Sequence, residues 1–386
     1  MLGFQMVVRE AILSMFTVSQ RSFLVVSLLL ILGEALLCGW VIDNVKYTEI
    51  DWSTYMQQVE CFLSGVRNYS QIGGDTGPVV YPAGHIYAYG ILYSITSGGK
   101  DIRRAQYIFE ILYLMTLLLV FRVYYKSKKI PPFVLFFLCC ISYRIHSIFL
   151  LRLFNDPIAM LFFYVALNFW ISRQWIIGCI FYSLAVSIKM NVLLFAPAVF
   201  FMLLLYNGVM KTAILLIICG IIQVLLALPF LTFDPISYLS RSFDLGRVFL
   251  FKWTVNWRFL PPEVFLSRRF HLSLLGIHFS VLLLFAFFCW FRNVLDILYA
   301  LFTANLIGIA VARSLHYQFY SWYFHSLPYL LFSTLSYKNL VSLNLCWNSY
   351  PSTKLSSGAL NVFHLVILVI TFVHGCTLWQ SKKKEI

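Results

Sequence analysis

Acidic residues are scarce in this chain. Its 386 residues include 15 Asp and Glu against 29 Lys and Arg, with 11% charged and 61% hydrophobic in all. A soluble domain carries roughly 25% charged residues, so an ordinary soluble enzyme is excluded. The nine cysteines are scattered, and several (Cys139, Cys140, Cys179, Cys219, Cys289) sit inside apolar runs. There is no CxxC and no Cys/His ligand spacing, which argues against a disulfide framework or a metal centre and for cysteines acting as small apolar residues. A glycine-rich phosphate loop and an HExxH helix are also missing, so ATP hydrolysis and zinc proteolysis have no support. Nor is there the internal repeat that a transporter built from two related halves would show.

What the chain has instead is apolar runs of about 20 residues along its whole length, the signature of helices that cross a bilayer. The fold class is all-α and polytopic, read as one membrane domain over residues 1–386. Expected spans begin with Phe23–Ile42, Gln106–Tyr125, Phe133–Leu151 and Pro157–Ile171. A stretch from Trp175 to Phe201 is broken at Lys189-Met190-Asn191, by a hairpin turn or by a polar group inside a bundle. Thr212–Phe233, His271–Phe291, Asn293–Ala312, Phe319–Thr334 and Ala359–Trp379 follow, for about ten to twelve helices by hydropathy. Glu34 lies within the first span and requires a neighbour. The net charge of +14 fits basic residues contacting membrane lipid phosphates rather than nucleic acid.

Five of the few acids, Asp43, Glu49, Asp51, Glu60 and Asp75, fall within 43–75. They lie in a polar loop over 43–104 that also carries Gly73-Gly74, Gly77-Pro78 and Tyr81-Pro82-Ala83-Gly84 as turn formers. Carboxylates need water, and long polar loops between spans are often functional. Trp52, Tyr55, Met56, Val59, Phe62 and Leu63 recur at helical spacing, which predicts an amphipathic helix lying on the bilayer surface. Asn68-Tyr69-Ser70 is a glycosylation sequon. The lysines at 126, 128 and 129 mark a cytosolic loop and so place the acidic loop on the lumenal side.

A second long loop, 234–270, is aromatic and basic and carries Arg241, Arg247, Lys252, Trp253, Trp257 and Arg258. By alternation it is lumenal, and its cations suit an anionic substrate; headgroup anchoring is the competing reading. Arg144, His146 and Arg152 form another polar cluster, as do Arg313, His316 and Tyr317. Arginine grips phosphate bidentately, histidine adds a donor, and a carboxylate can deprotonate a hydroxyl. Together these groups suit transfer from a lipid phosphate to an alcohol. A lipid or lipid-linked sugar transporter and a lumenal scaffold are the alternatives. The chain closes on Lys382-Lys383-Lys384-Glu385-Ile386, which matches a cytosolic dilysine retrieval tail over 381–386. Eleven spans would leave that tail in the lumen, so the parity stays open.

TEIDWSTYM, GDTGPVVYPAGH, RLFND, SIKMN, SFDLGRVFLFKWTVNWRFLPPEVFLSRRFH and HYQFYSWYFHSLPYL, in order from Tyr47 to Leu330, closely resemble the dolichyl-phosphate-mannose-dependent alpha-1,3-mannosyltransferase family of the endoplasmic reticulum. The resemblance implies a GT-C fold in the reticulum membrane. It also implies transfer of mannose from dolichyl-phosphate mannose to Man5GlcNAc2-PP-dolichol with inversion, without a nucleotide sugar, cofactor or bound metal. GT-C enzymes typically place an essential acid in the first lumenal loop. Asp51 in EIDW is the matching position, with Glu49 the runner-up. Arg313, His316, Tyr317, Arg144 and His146 are then expected at the donor phosphate, and Asp75, His85, Trp253, Trp257 and Arg258 along the sugar chain.

Overall fold

A computed structural model describes residues 10, 13–141, 143–244, 246, 248–291, 296–334, 345–349 and 351–383. Expectations that fall on Arg247, Asn293 and Lys384–Ile386 lie outside these residues. The chain divides into two compact units: residues 1–135, 143–192 and 213–247 in the first, and 136–142, 193–212 and 248–386 in the second.

The first unit opens with α1 (Gln20–Asn44), capped by the Ser19 hydroxyl accepting the Ser22 N–H. α2 (Trp52–Leu63) follows. A minimal hairpin then pairs β1 (Gly73–Gly74) with β2 (Gly77–Pro78) in antiparallel register. α3 (Gly84–Ile95) and α4 (Ile102–Ser127) come next. After α5 (Val134–Cys140), α6 (Tyr143–His146) continues as a wider turn to Leu151. α7 (Asn155–Ile171) and α8 (Trp175–Ile188) form an antiparallel hairpin. α9 (Ala196–Leu231) is interrupted at Gly208, whose φ of 73° no helix accommodates, and its later part joins this unit with α10 (Pro235–Ser242).

Glu34 of α1 has the neighbours its position demands. Its Oε2 accepts from the Tyr113 hydroxyl of α4 at 2.9 Å and pairs with His146 Nε2 at 2.6 Å. α2 forms where the spacing predicts it, but its apolar face turns into the protein and not onto a bilayer surface. Trp52, Tyr55, Met56 and Val59 are all buried. Trp52 explains the preference: its indole N–H donates to the Gly99 carbonyl at 2.9 Å while the ring packs edge-on against Tyr89 and Phe109. A buried tryptophan needs such a partner. Below it, Tyr69, Ile72, Val79, Ala83 and Ile86 of the polar loop share a core with Ala227, Phe230 and Tyr238. The loop of 43–104 is therefore a folded layer with its own helices.

In the second unit, Ser267 caps α12 (Arg268–Phe285), which follows the short α11 (Pro262–Leu266). Asp296 caps α13 (Ile297–Ala310), and α14 (Leu327–Ser333) precedes the long α15 (Lys354–Lys383). Tyr299 of α13 donates to the Thr371 carbonyl of α15 at 2.7 Å, and Tyr323 meets His364 of α15 at 2.8 Å.

Among the described residues, five helices are long and apolar enough to cross a membrane, six if the bent pair Val134–Cys140 and Tyr143–Leu151 is one span. The chain is thus an all-α, multi-pass membrane protein. These spanning helices are fewer than hydropathy suggests because α7, α8 and α13 have 17, 14 and 14 residues, short of the roughly 20 that a 30 Å hydrocarbon core requires.

The contact that sets the loop layer against the α7–α8 hairpin is a glycine. A Cβ on Gly84, at the start of α3, would lie 2.9 Å from the Ser187 carbonyl carbon and 2.7 Å from its Cβ. Gly84→Ala is expected to cost about 1–3 kcal/mol, the usual range for overpacking. Adding Ser187→Gly should return part of that loss. Thermal unfolding of the detergent-solubilised protein measures both; an unchanged midpoint for Gly84→Ala would mean the approach is not close.

Candidate active site

Four chain segments meet above the α7–α8 hairpin. The turn before α2 brings Asp51, the hairpin brings Thr76, α3 brings His85 with Tyr81 just ahead of it, and α7 and the end of α8 bring Asn155, Asp156 and Lys189.

Asp51 and Glu49 are two residues apart and do different things. Asp51 stands at the N-cap position of α2, yet its carboxylate caps nothing. Glu49 does that work: its Oε1 accepts the Ser53 backbone N–H at 3.1 Å and its Oε2 accepts the Tyr47 hydroxyl at 2.6 Å. Asp51 Oδ1 accepts from the Thr76 hydroxyl at 3.1 Å and Oδ2 from the Tyr55 hydroxyl at 3.4 Å. Thr76 is itself held by Thr54, whose hydroxyl accepts its N–H at 2.9 Å. Burial raises the Asp51 carboxyl above its usual range, against the Thr76 hydrogen bond and the Lys189 charge. Both oxygens of this half-buried carboxylate are met by side-chain hydroxyls, and neither is tied to a backbone N–H.

Behind it is a buried polar chain. Lys189 Nζ donates to Asp156 Oδ2 at 2.7 Å and to Asn155 Oδ1 at 2.8 Å. The Asn155 amide meets His85 Nδ1 at 3.4 Å, and His85 Nε2 meets Gln58 Oε1 at 3.1 Å. The donors fix the tautomer: Nε2–H donates to Gln58, and Nδ1 accepts from Asn155. Burial, with Lys189 adding to it, pushes the His85 imidazole down to about 3, so it is neutral. Tyr55, Tyr81 and Tyr89 enclose the ring with centroids 4.6–4.8 Å away. His85 is fully buried, so the expected contact with sugar is replaced by a pillar inside the site. The turn that delivers Asn155 is held in place: Leu153 has a φ of 51°, rare for a bulky residue, and its carbonyl accepts the Tyr89 hydroxyl at 2.8 Å.

The other expected residues distribute as follows. Asp75 is exposed on the hairpin and exchanges two 2.8 Å bonds with Gln57. His146 is engaged by Glu34 inside the helix layer, and Arg144 is buried beside it. These two are placed within the helices rather than in the Asp51 cluster. The second unit gathers its own group. Arg313 lies over the Phe249 ring at 5.3 Å, and His316 stacks on Phe319 and meets Phe249 edge-on. Trp257 donates to the Ala312 carbonyl at 2.8 Å, and Arg258 to the Phe251 carbonyl at 2.6 Å. Tyr317 begins the turn that follows His316, and Trp253 is exposed under Lys252. The second long loop therefore packs on the Arg313–Tyr317 turn.

Lys189, Asp156 and Asn155 were legible only as polar breaks in apolar runs. Opposite charges isolated in such runs call for each other, and that is the signal that pairs them.

The model of the ALG3 protein family matches residues 28–357. The chain belongs to this family. It is 52% identical over 379 residues to the human Dol-P-Man:Man(5)GlcNAc(2)-PP-Dol alpha-1,3-mannosyltransferase and 51% identical to the mouse protein of that name, with 90% of this chain and 86% of each relative covered. A Dictyostelium discoideum protein named as a probable enzyme of the same kind is 44% identical, covering 90% of this chain and 91% of its own length. No solved structure matches the chain. The family match takes in Asp51, Asn155, Asp156 and Lys189 together with the Arg313–Tyr317 turn.

His85 gives a pH test of the site's packing. An unfolded chain protonates this ring near 6.5, while the folded one resists down to about 3. Between those values the unfolded state binds more protons, so stability falls as pH drops through the window. His85→Gln, which keeps a hydrogen-bonding side chain, should flatten that slope in thermal unfolding across the window; an unchanged slope would show the ring to be protonated in the fold.

Proposed function

We propose that this protein transfers mannose from dolichyl-phosphate mannose to Man5GlcNAc2-PP-dolichol, forming an alpha-1,3 bond with inversion, on the lumenal side of the endoplasmic-reticulum membrane. The identity to named mannosyltransferases over nine-tenths of the chain carries this reading and favours transfer over a transport role. Within the site, the observation that counts is the division of labour between Glu49, which caps α2, and Asp51, which does not.

The chemistry follows from that division. Asp51 takes the proton of the acceptor hydroxyl as its oxygen attacks the anomeric carbon. The carbon passes through an oxocarbenium-like state of the kind seen in glycoside hydrolysis. The bond to the dolichyl phosphate breaks on the opposite face in the same displacement, which inverts the centre without a covalent intermediate. The charge that grows on the leaving phosphate is met by arginine and histidine, for which Arg313 and His316, with Tyr317, are our assignment. Trp253, Trp257 and Arg258 are assigned to the sugar chain, where aromatic faces stack.

Asp51→Asn should lower transfer by about 10²–10⁴-fold, the usual worth of a general base. Its melting temperature should stay near wild type because no cap is lost. Glu49→Gln should show a smaller rate loss together with the roughly 0.5–2 kcal/mol of a weakened cap. Formation of the one-mannose-longer lipid from labelled donor measures both. More than about a tenth of wild-type transfer in Asp51→Asn would remove it from the mechanism.

Arg313→Ala or His316→Ala should raise the KM for dolichyl-phosphate mannose and lower turnover, by roughly tenfold to a hundredfold for a lost charge-assisted contact of about 1.5–3 kcal/mol. Normal kinetics in both would move the phosphate site elsewhere.

A further inference from the structure

We infer that Lys189, clamped by Asp156 and Asn155, is a positioning residue that keeps the Asp51 carboxylate ionised and oriented. This rests on Asp51 being the base.

The contacts are continuous. Lys189 Nζ sits over the Tyr81 ring at 5.3 Å. The Tyr81 hydroxyl lies 3.5 Å from the Tyr55 hydroxyl, which reaches Asp51 Oδ2 at 3.4 Å. The ammonium cannot swing away, because two of its hydrogens are committed to Asp156 and Asn155. Asn155 in turn is held by His85, and His85 by Gln58 of α2, the helix that Asp51 begins. The polar chain thus closes a ring from the base to the cation and back.

The titratable groups that face Asp51 come from every packed element. Tyr47 and Glu49 flank it in sequence, Tyr55 comes from α2, Tyr89 from α3, Asp156 from α7, and Lys189 follows α8. Lys189 is the cation of this set. A carboxylate leaving water is disfavoured in its charged form, and a fixed cation nearby is what offsets that. Asp156 has the opposite influence on Asp51 but is needed to hold the lysine charged and in place, since an unpaired buried ammonium would tend to lose its proton.

The test reads the acid limb of kcat/KM against pH, with full-length protein, labelled dolichyl-phosphate mannose and the lipid-linked acceptor. Four proteins are compared: wild type, Lys189→Met, Asp156→Asn and the double variant. The limb should stand at the lowest pH in wild type, higher in Asp156→Asn and in the double variant, where the cation is released or removed, and highest in Lys189→Met, where Asp156 is left unopposed. On that limb each pH unit of displacement reads as a tenfold change in rate at fixed pH. Lys189→Arg should keep the wild-type midpoint, and the KM for donor should be unchanged throughout.

The double variant leaves no unpaired buried charge, so it carries the test even where Lys189→Met does not fold. A wild-type limb in the double variant overturns the inference, as does a loss that is equal at every pH. So does a raised donor KM with an unmoved limb, which would make Lys189 a phosphate ligand. The two readings fail separately. Appreciable transfer by Asp51→Asn refutes the base, whereas coincident limbs beside an inactive Asp51→Asn refute only the role of Lys189.

Discussion

The ion pair between Lys189 and Asp156 is the constraint to which the first unit is fitted. Both groups are buried, and two charges taken out of water cost several kcal/mol each unless geometry and further hydrogen bonds compensate. Compensation here is local. Asn155 supplies a second acceptor to the ammonium, and the 2.7 Å bond to Asp156 is short. Much of the surrounding structure makes that arrangement possible. Gly84 admits α3 to the end of α8, the strained Leu153 turn starts α7 on Asn155, and the tyrosines of the loop layer exclude water from the polar chain. Asp51 then stands half-buried at the boundary of this layer, close enough to feel both charges of the pair.

Periodicity and composition reveal a good deal of this. The spacing of Trp52, Tyr55, Met56 and Val59 marks α2 correctly, because helical faces are written in sequence. What it cannot say is what covers the face, and protein covers it where a bilayer surface was expected. Glu34 shows the opposite case: a lone acid in an apolar helix announces a partner, and His146 and Tyr113 are that partner. The price of that pairing is that His146 is committed to α1 and is no ligand of the Asp51 cluster. The choice between Glu49 and Asp51 is not written in composition at all. It depends on which carboxylate points back along the helix start, a matter of side-chain direction. Likewise, His85 in a polar loop reads as a ligand, and only three surrounding tyrosines and two hydrogen-bond partners make it a pillar.

The second unit shows a comparable economy with its basic loop. Arg258 and Trp257 spend their donors on backbone carbonyls of Phe251 and Ala312, and Asn256 accepts the Leu315 N–H at 2.9 Å. An aromatic and basic stretch that looks from its sequence like a surface anchor is therefore the scaffold of the turn carrying Arg313 and His316. Trp253 keeps an exposed ring beside this scaffold.

The α7–α8 hairpin has a consequence for how the protein is made. Asp156 and Lys189 are 33 positions apart on consecutive helices, so they leave the ribosome within seconds of each other at roughly 5–20 residues per second. Both charges stand at helix ends, at the open end of the hairpin, where a buried charge without its partner would be costly. Once the hairpin closes, the two charges meet as an ion pair, and neither has long to stand alone. Asp51, emerging more than a hundred residues earlier, has no cation beside it until that hairpin arrives. The polar cluster around Asp51 is therefore complete only once Lys189 has been translated.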